Sequence, residues 1–176
     1  SIDHGKLKGI LSGLFKDRRF LLLLYRIIDH SVPHLRMGTG LPIGNLTSQH
    51  FANLFLSGLD HYVKETLRAP GYVRYMDDFI IFHNSKSFLK MTLADLEEFL
   101  RLRLTLQLKE RATTLAPTSE GISFLGCRVF KGVIRLQRKN LVRMRQKIAN
   151  KERHYAKGLV SEADLEKSLN SVVANV

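Results

Sequence analysis

Tyr72-Val73-Arg74-Tyr75-Met76-Asp77-Asp78-Phe79-Ile80-Ile81-Phe82 is the stretch on which the reading of this chain turns. Two adjacent carboxylates, Asp77 and Asp78, separate the apolar pair Tyr72-Val73 from the apolar run Phe79–Phe82. The pattern predicts a hairpin with the acids at its tip. Burying two neighbouring negative charges in an apolar hairpin is unfavourable unless something compensates them. A divalent cation held by oxygen ligands is the usual compensation. Asp is also common in turns, so these residues alone equally describe an ordinary acidic turn.

Upstream, Leu7, Ile10, Leu11, Leu14 and Phe15 recur at helical spacing and predict an amphipathic helix over 4–16. Asp17 is placed to cap a second, Leu-rich helix over 18–30, which Pro33 then breaks. Gly38, Gly40, Pro42 and Gly44 make 37–46 a loop. Thr47 or Ser48 is the expected N-cap of a helix running to Leu67, with Phe51, Leu54, Phe55, Leu59 and Val63 as its apolar stripe. Pro70-Gly71 ends it.

Downstream, Asn84 or Ser85 opens a helix with Leu89, Leu93, Leu96 and Leu100 on one face. The alternation Leu104, Leu106, Leu108 predicts a strand, and further short strands are expected at 113–115, 122–124, 127–130 and 133–136. From Arg138 the pattern is helical again, with Ser161 as a later cap. Strands and helices do not alternate, so the fold class is α+β, with helices packed on one face of an antiparallel sheet and C-terminal helices following. The expected boundary lies at residue 137, giving segments 1–137 and 138–176.

The 176 residues carry 28 Lys and Arg against 16 Asp and Glu, a net charge of +12. This excess favours a polyanionic partner, nucleic acid first. No apolar run approaches the roughly 20 residues of a spanning helix, so no membrane partner is expected. A single cysteine, Cys127, excludes an internal disulfide, reads as a small buried hydrophobe, and fits a reducing, cytoplasmic location. His30 and His34 are four apart, but Pro33 between them argues against a shared zinc-binding face. The chain opens on Ser1-Ile2-Asp3-His4 and runs straight into a helix, which reads as a piece of a longer protein.

A second informative stretch is Leu41-Pro42-Ile43-Gly44-Asn45-Leu46-Thr47-Ser48-Gln49. Gly44 permits close approach of another backbone or a base pair. Asn45, Ser48 and Gln49 offer amide and hydroxyl groups to sugar, phosphate or base edges. Their alternative role is to cap the helix they precede. Eleven basic residues between Arg128 and Lys157 are opposed only by Glu152, and such a cluster tracks phosphates or forms a solvated helix face.

The order of these motifs resembles the reverse transcriptases of bacterial retroelements. The loop with Gly44 and Gln49 precedes a helix, then the Tyr75–Asp78 hairpin, a helix, Leu106–Lys109, and Gly121–Gly126. The wording Ile43–Gln49 is most similar to the enzymes of diversity-generating retroelements. Group II intron, retron and phage-defence enzymes are the alternatives within the class, and a non-catalytic nucleic-acid-binding module of the same fold is the alternative outside it.

The resemblance implies an RNA-directed DNA polymerase, with a palm over 1–137 and the start of a thumb from Arg138. It implies that Asp77 and Asp78 bind catalytic Mg²⁺, or Mn²⁺, and that Tyr75 and Met76 shape the floor under the primer end. Gly44, Asn45, Ser48 and Gln49 would meet template and incoming dNTP. Leu125 and Gly126 would form the primer grip. Lys109 or Arg111 would assist the leaving pyrophosphate, and Arg138, Lys139, Arg143, Arg145 and Lys147 would hold the nucleic-acid backbone.

The implied partners are an RNA template, a DNA or RNA primer, and an accessory protein; oligomeric state is open. In the family a third carboxylate lies upstream of the segment matching Ser1–His4. On that reading this piece lacks one metal ligand, the residue that excludes ribonucleotides, and the fingers, and is inactive alone.

Overall fold

The computed structural model describes residues 1–30, 38–42 and 44–174. It divides into two compact units, Ser1–Leu115 and Ala116–Val176. All named strands are antiparallel, in two separate sheets, and the class is α+β as expected.

In the first unit, α1 (His4–Leu14) is capped by Asp3, whose carboxylate accepts from the Lys6 amide. Asp17 caps α2 (Arg18–Asp29) by accepting from the Arg19 and Phe20 amides. The break expected at Pro33, and His34 with it, lie outside the described residues. Gly38 and Gly40 are tied to the chain start through the His4 amide to the Gly38 carbonyl and the Gly40 amide to the Ile2 carbonyl. The buried His4 ring adds a 2.6 Å contact to the Gly40 carbonyl.

Helix α3 (Leu46–His61) passes into a π-helical turn at Tyr62–Thr66. Strands β1 (Gly71–Tyr75) and β2 (Asp78–Phe82) form the expected hairpin. Ser85 caps α4 (Lys86–Phe99), which also ends in a π-helical turn, Leu100–Leu104. Leu7 and Leu11, Ile28, Phe51, Phe55, Leu56 and Leu59, Val63, Leu96, Leu100 and Leu104 make one buried cluster, in which Phe55 is the largest fully buried side chain. Tyr72, Phe79 and Ile81 of the hairpin pack against it.

Two expected strands are absent. Leu104 closes the π-helical turn, and Thr105 turns left-handed at φ +53°. The Leu106 amide then bonds the Leu100 carbonyl, and Leu106 and Leu108 pack on the core with no strand beside them. Period-two leucines here satisfy packing, not pairing. Residues 113–115 are likewise irregular, because Thr113 is drawn back to the Lys109 and Glu110 carbonyls by a 3₁₀ turn at Glu110–Ala112.

The second unit holds β3 (Ile122–Phe124), β4 (Cys127–Phe130) and β5 (Val133–Leu136), all where the sequence puts them. Cys127 is half-buried in β4. Helices α5 (Arg138–Ala156) and α6 (Glu162–Ala174) follow, and the Ser161 hydroxyl accepts from the Asp164 amide as expected of a cap. The compact-unit division at Leu115 differs from the sequence boundary at 137. The meander is joined to the start of α5 by the Gln137 amide and the Asn140 side chain, both donating to the Gly126 carbonyl.

Candidate active site

The β1–β2 register pairs Tyr75 with Asp78 and leaves Met76 and Asp77 as a two-residue turn. Met76 is left-handed, at φ +55°. A non-glycine residue held there costs about 1–2 kcal/mol, a strain that surrounding contacts must maintain. The expectation that the hairpin buries its acids is wrong: Asp77 and Asp78 are both exposed, at the turn where strand pairing stops. Neither carboxylate has a hydrogen bond or ion pair to another described residue. The two carboxylates therefore stand side by side without a counterion among the described residues. As hard oxygen donors on adjacent residues they fit Mg²⁺ or Mn²⁺. Among the described residues no group of three or more His, Cys, Asp or Glu is arranged to hold a metal ion. Asp3 is engaged as the α1 cap, and Asp29 accepts from Lys8 at 2.6 Å.

The guanidinium nearest in sequence, that of Arg74, is committed elsewhere. Strand alternation puts Tyr72 and Arg74 on the opposite side from Val73 and Tyr75, which are 47% and 59% exposed. The Arg74 side chain is only 11% exposed. A cation facing inward needs partners, and α3 supplies them. Arg74 Nε donates to Asp60 Oδ1 at 2.7 Å, and Nη2 donates to Asp60 Oδ2 at 2.5 Å. Its Nη1 donates to Asn53 Oδ1 at 3.0 Å and to the Met76 carbonyl at 2.8 Å. The Tyr72 hydroxyl also donates to Asp60, at 2.8 Å.

The hydrogen bond from Arg74 holds the Asp60 carboxyl below its ordinary range, and the bond from Tyr72 lowers it further. Burial first, then Asp60, push the Tyr72 phenol up. A carboxyl depressed in the folded state adds stability that is fully present above its unfolded value. That stability is lost as pH falls through the folded value. The melting-temperature gap between the wild type and Asp60→Asn is therefore expected to be constant from about pH 5 to 8 and to shrink below about pH 4. Thermal denaturation across that range checks it.

From sequence, Asn53, Asp60 and Arg74 carried no expected role, and Tyr72 only that of an apolar flank of the hairpin. The signal was present: Arg74 shares the core-facing side of β1 with Tyr72, and Asp60 is the one acidic residue of α3.

The same helix carries the second motif. At 100° per residue Gln49, Asn53 and Asp60 fall on one stripe of α3, and Asn53 and Asp60 both reach Arg74. Gln49 thus lies on the hairpin side of the helix, one turn before Asn53, and is exposed. Gly44 has φ +94° with open space where a Cβ would stand. Asn45, not Thr47 or Ser48, occupies the N-cap position, and its side chain makes no capping bond. Ser48 is half-buried in the first turn. Ile43 lies outside the described residues.

Lys109 and Arg111 are exposed at the 3₁₀ turn that replaces the expected strand end. In the second unit Leu125 and Gly126 form the β3–β4 turn, at φ +49° and +80°. Two successive positive values are the type I′ pattern, which favours Asn-Gly or Gly-Gly. Leu125 occupies the first position and is 50% exposed, so strain and an apolar side chain coincide at this tip. A Cβ on Gly126 would stand 2.6 Å from Asn140 Nδ2. Arg138, Lys139, Arg143, Arg145 and Lys147 are all exposed on α5.

Residues 15–129, well over half of the chain, match the family model described as reverse transcriptase (RNA-dependent DNA polymerase). The chain belongs to the reverse transcriptase family. The match includes Gly44–Gln49, Asp77 and Asp78, and ends before α5. The chain is also similar to the "Putative COX1/OXI3 intron 2 protein" of Saccharomyces cerevisiae (strain ATCC 204508 / S288c), at 22% identity over 186 aligned positions. That alignment covers 72% of this chain, which spans 22% of the relative's length. No helix among the described residues is long and apolar enough to cross a membrane.

Proposed function

We propose that this chain is the palm (residues 1–137) and the start of the thumb (from Arg138) of a cytoplasmic RNA-directed DNA polymerase of the diversity-generating retroelement type. The observation that carries the reading is the exposed Asp77–Asp78 pair, without a counterion among the described residues, on a hairpin fastened to the helix that bears Gln49. The reaction joins a primer 3′-oxygen to the α-phosphorus of a dNTP and releases pyrophosphate. Two Mg²⁺ or Mn²⁺ ions, when bound, stabilise the entering and leaving oxygens of such a displacement.

Asp77 and Asp78 would supply protein oxygens to those ions, with a further carboxylate from elsewhere in the polymerase. Tyr75, exposed beside them, and Met76 support the primer end. Gly44, Asn45, Ser48 and Gln49 admit and read the template and the incoming nucleotide. Lys109 or Arg111 offers positive charge to the departing pyrophosphate. Leu125 and Gly126 grip the primer, and the α5 cations hold the RNA template–primer backbone. An accessory basic protein goes with the diversity-generating assignment.

An intron-encoded enzyme is the second reading within the family, and the similarity to an intron protein favours it. Primer extension on an RNA template with Mg²⁺ or Mn²⁺ tests the activity, comparing this chain with a version extended upstream of Ser1. Extension by the longer version alone is the expected result. Extension by the 176-residue chain refutes the need for an upstream ligand. Extension by neither moves the binding-module reading ahead.

A further inference from the structure

We infer that Arg74 is a positioning residue, which with Asp60 and Asn53 of α3 sets the Met76–Asp77 turn so that the two acids present their oxygens together. The inference rests on the metal-binding reading of Asp77 and Asp78 given above.

Arg74 contacts neither acid; its role runs through the backbone. One nitrogen, Nη1, donates both to Asn53 and to the carbonyl of Met76, the left-handed residue of the turn. The other two nitrogens bind both oxygens of Asp60. The fork therefore spans from the last turn of α3 to the peptide between Met76 and Asp77. A planar, five-donor guanidinium can satisfy all these acceptors at once, whereas an ammonium cannot reproduce that geometry. The inner face of β1 also carries Tyr72 to the same Asp60. A two-residue turn with a strained first residue has alternative conformations, and contacts of this kind select one of them.

The arrangement leaves the acids free of the adjacent positive charge. Had the guanidinium faced outward with Tyr75 and Asp78, it would have paired with the acids and competed with a cation. Strand alternation and the pull of Asp60 keep it on the other side.

Mn²⁺ binding to the 176-residue chain, followed by electron paramagnetic resonance, tests this without turnover. Outer partners of metal ligands typically alter affinity by about 10–100-fold. Arg74→Lys is expected to weaken Mn²⁺ affinity by roughly tenfold or more and to change the spectrum of the bound ion. Asn53→Ala, which leaves the Arg74–Asp60 pair in place, is expected to weaken it less, in the same direction. Circular dichroism confirms folding of each variant, and Asn53→Ala carries the test should Arg74→Lys not fold. Asp77→Asn is the reference and should abolish the bound signal. Wild-type affinity and spectrum in the folded Arg74 and Asn53 variants, with the Asp77→Asn signal lost, overturn the positioning role and leave the metal site standing. Unchanged Mn²⁺ binding in Asp77→Asn overturns the metal site and this inference with it.

Discussion

Asp77→Asn in a version of the protein that extends primers is expected to lower the rate by at least about 10²–10³-fold. The estimate follows from the several kcal/mol of charge stabilisation that a bound metal contributes to a displacement at phosphorus, at about 1.4 kcal/mol per factor of ten. The substitution keeps the shape of the side chain and removes its charge. The Asp77 side chain makes no hydrogen bond or ion pair among the described residues, so no structural contact is lost with the charge. Stability should stay within about 0.5 kcal/mol of wild type, as at exposed sites without such contacts. Affinity for a template–primer duplex should hold or rise, since one negative charge near a polyanion is gone. Single-turnover extension and duplex binding, measured on the same preparation, check both halves. A rate within a few-fold of wild type would exclude Asp77 from the reaction. Loss of binding together with rate would show that the turn holds nucleic acid and not metal.

Much of the first unit was legible because its signals are local. Asp17 and Ser85 cap the helices that follow them, and their spacing to the apolar stripes fixes those helix starts. The Tyr72–Phe82 hairpin was legible because a polar break of two residues admits one register. What failed depended on partners distant in sequence. Leu104, Leu106 and Leu108 alternate like a strand, yet a strand needs an edge to pair with, and these leucines meet the core instead. The acids were expected to be buried from the apolar residues around them. Exposure, however, is set by where pairing stops, and it stops at Asp78. The link from α3 to the hairpin was invisible to a motif reading, since Asn53, Asp60 and Arg74 belong to no motif. It follows from strand alternation and from the cost of an inward-facing cation, a physical inference that the pattern Tyr72-Val73-Arg74 would have supported.

The basic face of α5 gives the second large expected effect. Arg138, Lys139, Arg143 and Lys147 are exposed, have no ion pairs among the described residues, and at 100° per residue fall within one half of the helix circumference. Leu141, Met144 and Ile148, on the other half, are half-buried. Lys151 donates to Ser168 of α6 and so differs from the other cations. If the four exposed residues each neutralise one phosphate, each accounts for about 0.9 of the slope of log affinity against log salt. Replacing all four with Gln should then reduce that slope by about 3–4 and weaken duplex binding by roughly 10³-fold near 0.1 M salt. Lys151→Gln should reduce the slope by less than any one of the four, because its half-buried side chain is turned toward Ser168 of α6. Binding isotherms at several salt concentrations read both. An unchanged slope in the fourfold variant would make these charges a solvated face, and the duplex would have to be held by other residues. A reduced slope with normal extension at saturating duplex would separate holding from chemistry: α5 would then supply affinity, and the Asp77–Asp78 turn the rate.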